Sequence, residues 1–338
     1  MLRSNFLRVI LWVVCLFALV TNVIVIVGRV KSKILAMRNM FSATVSDKQN
    51  TFLINLAIAD FLMGVYLLAI GISDLIFGKD YFLSALGWRN GIVCKGIGFI
   101  GFVGNVASLL TLTFLSIERF VTIAFSFGRY HFRSKLTAKI CATIWGFSAA
   151  MALTPIMLSH FVAEIFGFSD ICLGLPFVPV ADISKYHVTK TYEYYGAMYD
   201  IVGGDTDIKS LQWIYSQIVY IYFSATCVST ITLCYIAIFI SAIVSKIQSG
   251  RPGDNKDEIK MALRISIIVG TDLLCWLPVI ITGILSNAGY KVSSDAYVWF
   301  AIFVMPINSA FNPFIYTIPA IKRKKKNEPS FIAEQREL

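Results

Sequence analysis

Apolar residues run along this chain in seven long stretches, at about 6–30, 51–77, 92–125, 137–162, 212–245, 260–286 and 295–319. Each is long enough to cross a hydrocarbon core as a helix, which takes roughly 20 mostly apolar residues. The pattern predicts an all-α membrane protein: a seven-transmembrane-helix bundle in one domain at residues 1–321, without internal repeats, and a basic tail at 322–338. The first stretch carries Arg8 and lacks a small-residue cleavage site, so it reads as a retained span and not as a signal peptide.

Composition agrees with that reading. The 338 residues are 57% hydrophobic and only 15% charged, with a mean hydropathy of +0.71, whereas soluble domains hold roughly 25% charged residues. The net charge of +10 is unevenly placed: 20 of the 30 Lys and Arg residues fall after odd-numbered spans or in the tail, nine fall on the opposite side, and Arg119 completes the total. That bias puts the amino terminus outside and the carboxyl terminus in the cytoplasm. The basic excess thus marks a cytoplasmic membrane face and excludes a nucleic-acid surface. The run "IKRKKK" reads as sitting at anionic lipid headgroups, where each charge contributes about 1 kcal/mol; the alternative is a protein-docking motif.

Five of the seven cysteines, Cys15, Cys141, Cys227, Cys234 and Cys275, lie within spans as small apolar residues. Cys94 and Cys172 both lie on the oxidising side and predict a disulfide tying the loop before the fifth span to the third helix. That loop, at about 163–211, carries the aromatic and acidic run "YHVTKTYEYYGAMYD". It is either a ligand-facing lid or a variable solvated loop.

Polar residues within spans are costly and therefore informative. Asn308, Asn312 and Tyr316 follow at four-residue intervals on one helical stripe beside Pro313, which removes a backbone hydrogen bond. Asn22, Asp60, Asn105, Ser108 and Asp272 are further intruders. Singly, any of them could be a helix-packing hydrogen bond worth under about 1 kcal/mol; together they predict a polar interior.

Taken in order on seven spans, Asn22, Asp60, Cys94, "ERF" at 118–120, Trp145, Cys172, "CWLP" at 275–278 and "NPFIY" at 312–316 resemble a rhodopsin-like G-protein-coupled receptor. "TDLLCWLP" and "MPINSAFNPFIYT" narrow the resemblance to the leucine-rich-repeat-containing receptors, the branch of the glycoprotein-hormone and relaxin receptors, and to its relaxin-like side.

That resemblance implies a plasma-membrane receptor passing a signal from a peptide or protein hormone to heterotrimeric G proteins, with no chemistry of its own. Arg119 resembles the arginine that engages the G protein, held at rest by Glu118 and by an acid at the sixth helix for which Glu258 is the matching position. Tyr235 and Tyr316 resemble tyrosines that swing inward on activation, and Trp276 with Pro278 the hinge of the sixth helix. Asp272 would accept hydrogen bonds from Asn308 and Asn312. Asp60, Ser108, Asn308, Ser309 and Asn312 match the family's sodium pocket; the same residues serve a purely structural network equally well. No other cofactor is implied.

Several features depart from the pattern. Cys227 stands where most such receptors carry proline, which puts the fifth-span bulge in doubt, although the resembled branch shares this departure. Ser126 replaces the usual second-loop proline, and no cysteine follows the seventh span to carry a palmitoyl group. Leucine-rich repeats are absent and only five residues precede the first span. The chain is then either part of a larger product or works without an ectodomain. The competing class is a transporter or ion channel with an intramembrane acid, but inverted repeats and paired Gly/Pro-broken spans are lacking. An opsin would need a seventh-span lysine, and an enzyme would need a metal cluster or a nucleophile–base pair that the three histidines do not supply.

Overall fold

The computed structural model describes residues 2, 4–38, 46–124, 134–161, 171–172, 192–194, 197–199, 215, 217–249, 270–271, 273–285, 288, 290 and 298–316. Among them, five helices are long and apolar enough to cross a membrane: Asn5–Lys31, Asn50–Phe77, Ile92–Thr122, Ser134–Met157 and Ile221–Ser241. The sixth and seventh predicted spans appear as shorter apolar helices, Leu273–Leu285 and Phe300–Phe314. Helices are the form a single segment must take in lipid, where each backbone N–H and C=O has to be satisfied within it.

The second span is central, packing against both the first and the third, and the seventh closes against the first and second. Close approach of the second and third spans rests on Gly104, where a Cβ would meet the Ala59 carbonyl oxygen at 2.9 Å. Small residues permit such backbone contact in membranes. One turn later the third span presents Ser108 to the second.

Three prolines or their surroundings shape the bundle. Pro155 lies inside the fourth span and cannot donate to the Met151 carbonyl one turn back; the Tyr215 hydroxyl donates to that oxygen instead, at 2.6 Å. Pro313 lies inside the seventh span and leaves the Ser309 carbonyl in the same position. Just before Pro306 the seventh span opens into a π turn, Phe300–Val304.

The fifth span corrects an expectation. It carries a π turn at Ile218–Phe223 although Cys227 replaces the proline thought to favour such a bulge. The Ser224 hydroxyl donates to the Val219 carbonyl at 3.2 Å, so a side chain supports the widened turn where a missing N–H was expected to cause it.

On the extracellular side, a short helix, Tyr81–Asn90, precedes the third span. In the long loop, Tyr192–Tyr194 pairs antiparallel with Ala197–Tyr199, a small hairpin that the sequence reading did not foresee. Its tyrosines suit a pleated, half-covered surface.

Candidate functional site

The intruding polar residues of the first, second, third and seventh spans converge. Asp60 is fully buried at mid-span. Ser108 donates its hydroxyl to Asp60 Oδ1 at 2.7 Å, and Asn312 donates Nδ2 to Asp60 Oδ2 at 2.9 Å; the Ser309 hydroxyl also bonds this carboxylate. Asp60 therefore ties the third span to the seventh through one side chain. A buried carboxylate is tolerable only when its oxygens are satisfied in this way, since each unsatisfied acceptor costs about 1–3 kcal/mol.

The first span joins through Asn22, also fully buried. Its Nδ2 donates to the Ser309 carbonyl at 3.0 Å and to the Ala18 carbonyl at 2.8 Å. A cavity of about 10 Å³ lies among Asn22, Leu53, Asp60, Asn312 and Pro313, room for about one water or small ion. The Asn22 and Asn308 amide oxygens are buried without a hydrogen-bond partner. A carboxylate, two hydroxyls and amide oxygens with spare capacity form a hard-cation donor set, so the residues present fit a small cation such as sodium.

The second span is also pinned to the fourth. Trp145 donates Nε1 to Asn55 Oδ1 at 2.8 Å, and Asn55 Nδ2 donates to the Thr51 carbonyl. Trp276 is buried in the principal core cluster with Cys275 and Val279, and Pro278, two residues on, deprives the Leu274 carbonyl of its helical donor. The hinge geometry expected of "CWLP" is thus present locally.

At the other end of the third span, Glu118 is buried and accepts the Thr122 hydroxyl at 3.2 Å. Arg119 Nε stands 3.9 Å from Glu118 Oε2, an ion pair longer than a direct hydrogen bond. Tyr235 is buried on the fifth span. Asp272, Glu258 and the side chain of Tyr316 lie outside the described residues. The expected bonds from Asn308 and Asn312 to Asp272 fall there too, and the Asn312 bond that is described goes to Asp60.

The extracellular end has its own fastenings. Cys94 and Cys172 form the predicted disulfide, and the Tyr66 hydroxyl donates to the Ile171 carbonyl at 2.8 Å beside it. Arg8 donates Nε to Asp74 Oδ2 at 2.7 Å, and the Leu2 backbone N–H donates to Asp74 Oδ1 at 2.7 Å. Neither the Tyr66 bond nor the Asp74 pair was predicted. An acid in "GISDL" near the end of the second span was the available signal for Asp74.

Comparison with known proteins agrees with this arrangement. The family described as 7 transmembrane receptor (rhodopsin family) matches residues 21–179 and 197–316. The chain is 30% identical to G-protein coupled receptor GRL101 of Lymnaea stagnalis over 98% of its own length and 27% of that protein. It is 27% identical to relaxin receptor 2 of Homo sapiens and 29% identical to relaxin receptor 1 of Mus musculus, in each case over 94% of this chain and 37% of the relative. The chain thus spans between about a quarter and two fifths of the length of these relatives.

Proposed function

Since the chain belongs to the rhodopsin family of seven-transmembrane receptors, we propose that it couples an extracellular event to nucleotide exchange on a heterotrimeric G protein. The input is a peptide or protein hormone, a reading supported by the relaxin receptors among its relatives. The protein sits in the plasma membrane with its amino terminus outside, as the distribution of Lys and Arg favours, and its basic tail, 322–338, lies at the cytoplasmic headgroups.

The observation that carries the reading is the sharing of Asp60 between Ser108 and Asn312. A carboxylate bonded to two spans resists their sliding until its partners are exchanged, which makes the pair a two-state element that a ligand can bias. Arg119 and Glu118 then form the output end, and Trp276 with Pro278 the hinge between. In this reading Asp60, Ser108, Asn308, Ser309 and Asn312 also hold an allosteric sodium ion, whose charge would offset that of the buried carboxylate.

The test is nucleotide exchange on a panel of purified G proteins, one for each Gα class, catalysed by the chain in lipid nanodiscs. Exchange above that of empty nanodiscs is expected from the wild type or from the activated variant Asp272→Ala, and its loss in Arg119→Ala at equal folded amount. Background exchange with every class in both forms would overturn the proposal. For the ion, thermal stability should rise in sodium chloride relative to choline chloride in the wild type and stay level in Asp60→Asn; equal sodium dependence in both would remove it.

A further inference from the structure

We propose that the cytoplasmic foot of the first and second spans binds the headgroup of an anionic membrane lipid, an inositol phospholipid bearing phosphate monoesters, through Arg29 and Lys33. The two cations are four residues apart, on one stripe of the first span. Both reach the second span: Arg29 Nη1 donates to Asn50 Oδ1 at 2.7 Å, and Lys33 Nζ to Thr51 Oγ1 at 3.3 Å. A guanidinium fork, an ammonium group and a hydroxyl are thereby gathered at one place, the combination that suits phosphate oxygens.

Electrostatics in this region favours an anion. Arg119 of the third span is near enough for its charge to act on Arg29, so cations from two helices repel each other there. The acid beside them, Glu118, is buried and already faces Arg119 and Thr122. A phosphate near Arg29 and Lys33 would relieve the repulsion from the accessible side.

The first span also supplies the reason for preferring a lipid to free phosphate. Ile24, Val27, Val30 and Ile34 are between 38% and 59% exposed and flank the two cations along the same helix. Acyl chains can lie on them while the headgroup meets Arg29 and Lys33, whereas a soluble phosphate gains nothing from that surface. Basic pockets between spans on the cytoplasmic side, in the leaflet that holds anionic lipids, are suited to such headgroups. The inference rests on the orientation proposed above but not on G-protein coupling, and its test reads binding and not signalling.

The experiment is native mass spectrometry of the purified full chain titrated with dioctanoyl phosphatidylinositol bisphosphate, with dioctanoyl phosphatidylcholine and with soluble inositol trisphosphate. The bisphosphate lipid should bind in preference to both others. Arg29→Gln combined with Lys33→Gln should weaken it on the order of tenfold or more, while the charge-preserving pair Arg29→Lys with Lys33→Arg, and Lys31→Gln on the exposed side, should retain it. Should the double variant fail to fold, Lys33→Gln alone is expected to weaken binding about fivefold. The proposal is overturned if folded variants bind as the wild type does, if neutralising Lys322, Lys324, Lys325 and Lys326 removes the lipid instead, or if inositol trisphosphate binds as tightly as the lipid.

Discussion

Asn22 donates its side-chain amide to the carbonyl of Ser309, the oxygen that Pro313 leaves without a helical donor four residues later. A polar residue deep in the first span thus completes the backbone of the seventh, and the cost of burying it is offset where the proline made a vacancy in the hydrogen-bond ladder.

This relationship makes a double-mutant prediction. Asn22→Ala should lower thermal stability by about 1–3 kcal/mol, the cost of an unsatisfied buried acceptor. Pro313→Ala restores an N–H to the ladder, so Asn22→Ala should cost less in that background than in the wild type. Equal losses of melting temperature in both backgrounds would show that Asn22 acts elsewhere.

Tyr215 and Met151 repeat the logic between the fifth and fourth spans. Tyr215→Phe removes the hydroxyl that serves the Met151 carbonyl and should destabilise the protein by about 1–3 kcal/mol. Pro155→Ala should suppress the loss. Thermal unfolding of the four combinations checks it, and a neutral Tyr215→Phe would mean that the carbonyl is satisfied by other means.

How much of this was legible beforehand follows from range. The spans could be read because lipid imposes both length and apolarity on each segment independently. Asp60, Ser108 and Asn312 could be singled out because polar groups in such segments are conspicuous, and the family resemblance placed them together. Arg8 was visible only as a charge; its partner Asp74 is 66 residues away and is set by how the first and second helices pack. Asn55 went unremarked because its neighbour in sequence says nothing of Trp145, 90 residues on. The fifth-span π turn was doubted because proline was taken as its cause, when the hydroxyl of Ser224 can support it without one.

The loop joined by Cys94 and Cys172 should be held by two unequal fastenings. Replacing both cysteines with serine should cost about 2–5 kcal/mol, whereas Tyr66→Phe, which frees only the Ile171 carbonyl, should cost about 1 kcal/mol. Peptide mapping without reduction should recover the Cys94–Cys172 pair from surface-expressed protein. Free thiols at both positions would refute the linkage.

Glu118 and Arg119 make a prediction at the opposite end. The pair is 3.9 Å apart and Glu118 is further fixed by Thr122. If Glu118 restrains Arg119 at rest, Glu118→Gln should raise basal nucleotide exchange, and Arg119→Ala should abolish it while surface expression persists. An Arg119 that merely anchors the helix at the headgroups would instead give normal exchange per folded receptor in Arg119→Ala.

Asp272 is the remaining acid within the spans, in the stretch "TDLLCWLPVII" four residues before Trp276. A carboxylate there needs polar partners, and the resemblance to hormone receptors assigns it the seventh-span asparagines. Asn312 gives its amide to Asp60, so replacing it disturbs two acids at once; Asn308→Ala tests the partnership without removing a described donor to Asp60. Opening of the sixth helix separates it from the seventh, so a bond between them stabilises the resting state more than the active one. Its removal should cost the resting state about 1–3 kcal/mol, the range for a buried hydrogen bond to a charged group, and raise a rare active fraction roughly 5- to 150-fold. Asp272→Ala and Asn308→Ala should therefore both signal without ligand, Asp272→Asn less strongly, and the double variant Asp272→Ala with Asn308→Ala no more than either alone. Basal second-messenger output per surface receptor is the readout. Reduced expression with unchanged output per receptor would make Asp272 a packing residue and not a switch.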